Sequence, residues 1–235
     1  MNATSTFIGA LAAVALAGHP GGLPQGGETV NLDPADFTTR IDNHYWPMRP
    51  GSRWVYRETD QGGAKQRVVV TVTGKTKLIA NGVTARVVHD VVTERGRPVE
   101  VTDDWYAQDR AGNIWYLGEH TTEYANGKPS STEGSFEAGV DGAQPGVIMT
   151  AHPKAGQHYR QEYYKGHAED RARVLFARRG LVMTADANPL PPKLLEYKFY
   201  ARGVGPVLSA GVSGGSDREE LVSYRPGGLG YMFTS

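Results

Sequence analysis

The feature that most constrains this chain is a period of two. In "QRVVVTVTG" (66–74) and "TARVVHDVVTERG" (84–96), apolar and polar residues alternate on a β-branched background. That is the pattern of a strand with one covered face. "PVEVTDDWYAQD", "NIWYLGEHTTEY", "QHYRQEYY", "DRARVLFA", "LLEYKFYARGVGPVLSA" and "REELVSY" continue it. Asn-Gly pairs at Asn81-Gly82 and Asn126-Gly127 supply hairpin turns. Long helical periodicity is nearly absent, and neither GxGxxG nor a P-loop occurs, so a nucleotide-binding βαβ sheet is excluded. The expected fold is mainly β: an antiparallel meander of about ten strands forming an open barrel, half-barrel or sandwich, lipocalin-like in outline.

The segments flanking this pattern set the expected boundaries. "FIGALAAVALAG" (Phe7–Gly18) is an apolar run ending in Ala15-Leu16-Ala17, as in a signal peptide over 1–17, although "MNATST" carries no Lys or Arg. The alternative is a short buried helix. Residues 18–42 are rich in Gly and Pro and read as a flexible linker. A single β domain is expected over 43–225 and a C-terminal tail over 226–235. The chain is expected to be secreted or to reside in the periplasm or cell envelope, as a monomer with no integral membrane span.

Charge narrows the partners. The chain has 25 basic and 25 acidic side chains. No basic excess exists to neutralise nucleic-acid phosphates, so nucleic acid is not an expected partner. Cysteine is absent, which removes thiolate catalysis, Cys-ligated zinc, iron–sulfur clusters and disulfides. No HExxH, HxH, EF-hand or GxSxG motif is present, and no metal or cofactor is expected.

Two places could carry a ligand. The first is in the strands. In "WYAQDRAGNIWY" a loop over 109–112 would set Tyr106 opposite Trp115 and Trp105 opposite Tyr116, one aromatic pair per face. The aromatics would be a stacking platform or a hairpin clamp. On neighbouring strands, His89 shares a face with Ala85, Val87 and Val91, and Asp103 shares one with Val99, Val101 and Trp105. If both rows look inward, His89 and Asp103 pair inside a cavity; if the twist carries them outward, they sit at a wet rim.

The second place is the glycine-rich stretch 134–164, with Glu137, Asp141 and His152. It reads as a long rim loop, with "VIM" (147–149) plugging one barrel end and His152 at the mouth. Three functions follow as alternatives. The first is a binding domain for a small apolar or amphipathic ligand, or an envelope partner, using His89, Asp103, Tyr106, Trp115, Glu137, Asp141 and His152. The second is a carboxylate- and His-dependent hydrolase or lyase at the 137–152 rim. The third is a structural envelope protein without a pocket. The balance leans away from an enzyme.

Three quoted stretches also carry a resemblance. "YWPMRPGSRWVYR", "DWYAQDRAGNIWYLGE" and "EYKFYARGVGPVLS" with "ELVSY" resemble a group of uncharacterised secreted bacterial β-domains, common in actinobacteria. They are similar to a wider set of periplasmic or lipoprotein domains with a PxxGxxWxY-type start and a YYAxGVGxV-type close. The resemblance runs over roughly 43–225. It implies a secreted β-meander, often an open barrel, and no catalytic residues.

Overall fold

The computed structural model describes residues 22–59 and 62–228. The apolar run assigned to a signal peptide lies outside them. The described residues hold no α-helix, only a 3-10 turn at Pro34–Asp36, and no helix long and apolar enough to cross a membrane. Sixteen strands form the fold: β1 (Phe37–Thr38), β2 (Arg53–Thr59), β3 (Lys65–Leu78), β4 (Thr84–Glu94), β5 (Arg97–Asp109), β6 (Ile114–Ala125), β7 (Lys128–Ser131), β8 (Phe136–Glu137), β9 (Gln144–Met149), β10 (His158–Arg160), β11 (Glu162–Tyr163), β12 (Arg171–Arg178), β13 (Leu181–Asn188), β14 (Leu194–Ala201), β15 (Gly205–Ser213) and β16 (Arg218–Arg225).

All pairings are antiparallel, as the alternation requires. The order is β10-β12-β13-β14-β15-β16-β2-β3-β4-β5-β6-β9-β11, a nearly closed 13-strand barrel-shaped sheet. The ends of that path are consecutive pieces of chain, β10 and β11, separated by Gln161 alone. β10 pairs with β12 and β11 with β9. One bent segment therefore draws the two sheet edges together, which removes most of the exposed-edge hazard of an open sheet.

The barrel is built from two matching meanders. Each starts at a Pro/Gly turn with the same bonds. Gly51 N donates to Val72 O (2.8 Å) and Val72 N to Ser52 O (3.0 Å). Gly156 N donates to Val174 O (2.8 Å) and Val174 N to Gln157 O (2.8 Å). The buried Trp54 and Tyr159 each follow three residues after the glycine. The match continues inward. Asp90, Val88 and Arg86 face Thr102, Asp104 and Tyr106 across β4 and β5. Asp186, Thr184 and Val182 face Glu196, Lys198 and Tyr200 across β13 and β14 in the same order. The seam between the meanders is β2–β16, with Trp54 opposite Tyr224 and the two rings stacked at 5.0 Å.

The two ends of the resemblance meet at this seam. Trp54 Nε1 donates to Val204 O (2.7 Å) and Tyr56 OH to Pro206 O (3.1 Å). Gly205 has φ +111, and a Cβ there would lie 2.7 Å from Trp46 Cδ1. Only glycine combines that backbone with that contact.

Two expected elements differ. The stretch read as a flexible linker lies on the barrel over its described part: Leu23, Val30, Leu32 and Phe37 pack on the core, and β1 pairs with β5. Arg160, fully buried, clasps it. Its guanidinium donates to Pro145 O (2.8 Å from Nη2), Glu28 O (2.8 Å) and Gly26 O. The rim loop also contains structure. Val147, Ile148 and Met149 belong to β9, a wall strand paired with β6, and are not a plug.

Candidate functional site

The interior carries charged side chains beside its apolar core. The period of two explains how. Charged doublets inside strands must split between the faces. In "HD", His89 faces out and Asp90 in. In "DD", Asp103 faces out and Asp104 in. In "EE", Glu220 faces out, bound to Arg57 and Arg218, and Glu219 faces in.

These inward groups line a cavity of about 240 Å³. Its aromatic wall is Trp46, Trp54, Tyr56, Tyr106 and Tyr200. Asp90, Asp104, Glu219 and Lys198 supply charge, and Val70, Val88 and Ile148 complete the apolar surface. Trp46 sits between the matching tyrosines, with ring centroids 6.0 Å from Tyr106 and 5.8 Å from Tyr200. Asp90 and Asp104 are half-buried where they line this space.

The acids have few counter-ions. Lys198 Nζ is 2.6 Å from Glu196 Oε1 and 3.5 Å from Asp186 Oδ2, and Glu196 also accepts from Ser209 Oγ (2.6 Å). Burial pulls Lys198 downward, but Glu196 and Asp186 outweigh it and hold the ammonium well above the ordinary lysine range. Gln161 Nε2 donates to Asp186 at 3.0 Å. The other acids lack such a cation. Burial, then Glu219, Glu100 and Glu58, pushes Asp90 up to about 7. Its Oδ1 is buried without a hydrogen-bond partner. Burial and Asp90 push Asp104 to about 7, and burial and Glu58 push Glu219 to about 7. Glu119 reaches about 8 through burial and Asp104. Tyr116 OH lies 2.8 Å from Asp104 and 2.9 Å from Glu119. One hydroxyl donates one proton, so filling both bonds requires a proton on one of the two acids.

Of the residues expected at a site, Tyr106 lines this cavity. His89 and Asp103 do pair, at 2.7 Å, but on the outer surface with side chains 42% and 48% exposed. The hairpin register also differs. Asp109 N donates to Asn113 O and Gly112 N to Asp109 O, so the loop is Arg110-Ala111-Gly112 with Gly112 at φ +90. That sets Tyr106 opposite Tyr116, rings stacked at 5.0 Å on the inner side, and Trp115 opposite Ala107. Trp115 is buried on the other face, against Phe37, with its Nε1 donating to Asp109 (2.8 Å).

The rim residues are not brought together. Glu137 binds Lys77 Nζ (3.0 Å) and Ala80 N (2.8 Å). Asp141 occupies an exposed turn at φ +49. His152 is exposed beside Asp42, His44 and Gln108. Among the described residues no group of three or more His, Asp or Glu side chains is arranged to hold a metal ion. Sequence reasoning missed Asp90, Asp104, Glu219, Lys198 and Tyr200. The split of charged doublets was the available signal for the three acids.

Compared with protein-family models, curated proteins and solved structures, the chain matches none. The class rests on its own geometry: an antiparallel, barrel-shaped β-domain with an aromatic and acidic interior.

Proposed function

We propose that this is a binding domain whose barrel interior takes one compact small molecule. The observation that carries this reading is the cavity between the two meanders, where five aromatic side chains meet charged groups in one enclosed space. Ligand sites combine a mostly apolar lining with a few placed polar groups, and this space lies a little below the usual range of roughly 300–1,000 Å³, which favours a compact ligand. The expected apolar or amphipathic ligand fits such walls. The N-terminal apolar run supports a working place outside the cytoplasm. The rim hydrolase has less support, because Glu137 is committed to Lys77 and Ala80.

Native mass spectrometry of protein purified from its own host tests the reading. The expected result is a bound small-molecule mass, lost in Val70→Phe, which fills part of the cavity. A spectrum of bare protein would count against it.

A further inference from the structure

The binding reading leaves the chemical class of the ligand open, and the balance of charge inside the barrel bears on it. Asp90, Asp104 and Glu219 all line the cavity. None has an ion-pair partner within 4.0 Å among the described residues, because the nearby Lys198 is engaged by Glu196 and Asp186. Buried carboxylates are normally paired, since an isolated one is strongly unfavourable. Here the shortfall is gathered in a single cavity, and Asp90 Oδ1 lacks any hydrogen-bond partner. The same cavity is lined by Trp46, Tyr106 and Tyr200, and desolvated aromatic rings attract cations.

We infer that the ligand of this cavity is a compact organic cation, a primary to quaternary ammonium on a small apolar body, with its charge among Asp90, Asp104 and Glu219 and its body against Trp46, Tyr106 and Tyr200. The inference rests on the cavity being the binding site. An anion would meet three carboxyls. A neutral ligand would leave the acids without a counter-charge. A bare metal ion would not use the aromatic walls.

The inference has a proton signature. Asp90 faces Glu58, Glu100 and Glu219; Asp104 faces Asp90, Glu100 and the Tyr116–Glu119 pair; Glu219 faces Glu58, Glu196 and Lys198. Tyr56 lies beside Asp90 and Glu219. With the acids partly protonated near neutrality, a cation pulls them towards the ionised form. Binding therefore releases protons and strengthens as pH rises from about 6 to 8.

Titration calorimetry with 2-phenylethylamine and its neutral counterpart 2-phenylethanol, each in two buffers of different ionisation enthalpy, tests this. At about pH 8 the amine is expected to bind about tenfold or more tighter than the alcohol, with net proton release near pH 7. Asp90→Asn and, separately, Glu219→Gln should narrow that gap, both substitutions keeping side-chain shape. Equal binding of amine and alcohol overturns the cation while leaving the binding reading intact. Binding of neither probe at millimolar concentration overturns both.

Discussion

Gly205 shows how much one residue can hold. It ends the turn that accepts the Trp54 indole proton through Val204 O, and its bare Cα lets Trp46 approach. Gly205→Ala would place a methyl at φ +111 against the Trp46 ring. Such strain is worth about 1–3 kcal/mol. We expect a fall of that size in the unfolding free energy measured by urea denaturation, with weakened ligand binding because Trp46 bridges Tyr106 and Tyr200. Unchanged stability would mean that the turn relaxes freely. At this scale the sequence was half legible. The pairing of His89 with Asp103 follows from strand neighbours, but which face looks inward does not, because both faces of "ARVVHDVV" carry valines. Val88 and Asp90 line the cavity, while the other face is also covered, in part by residues before 43, as where Phe37 packs on Trp115. An outer cover drawn from residues before 43 is invisible to periodicity within a strand.

The elements were the most legible level. Alternation placed the strands, and two Asn-Gly turns separated β3 from β4 and β6 from β7. The misplaced register at β5–β6 came from loop length. A loop over 109–112 and the observed 110–112 differ by one residue, and one residue exchanges every side chain between faces. Asp109 decides it: its carboxylate accepts from Asn113 N, Asn113 Nδ2 and Trp115 Nε1, each at 2.8 Å, which ties the shorter loop. The element that closes the barrel was less legible. In β10, Arg160 is charged, wholly buried and bonded to backbone carbonyls of both β9 and the 22–32 segment. Burial lowers its basicity, partly offset by Glu28, but a guanidinium remains charged. Its fork cannot be copied by an ammonium. Arg160→Lys is therefore expected to cost about 2–4 kcal/mol. It should also open the 22–32 segment to limited proteolysis before the barrel unfolds. Cleavage at the wild-type rate would show that the clasp is unimportant.

For the whole molecule, the acidic interior sets the response to pH. Asp90, Asp104 and Glu219 at about 7 and Glu119 at about 8 lie above their ordinary, unfolded values near 4. A group raised on folding contributes its stability fully below the unfolded value and loses it as pH rises through the folded one. Glu28 and Glu196, which are lowered, act oppositely and lose their contribution in acid. The protein should thus be most stable near about pH 5 and melt several degrees lower at about pH 8.5. Asp90→Asn should flatten the decline. A melting temperature that rises over this range would refute the account. The two matching meanders have a different consequence. A chain ending after β9 would present two bare edges, β2 and β9, and a copy of the other meander would present edges able to pair with both. The protein is in effect a pair of half-barrels carried on one strand of covalent chain. The link through 150–157 keeps their effective concentration high, so the barrel closes as an intramolecular docking and does not depend on how much protein is present.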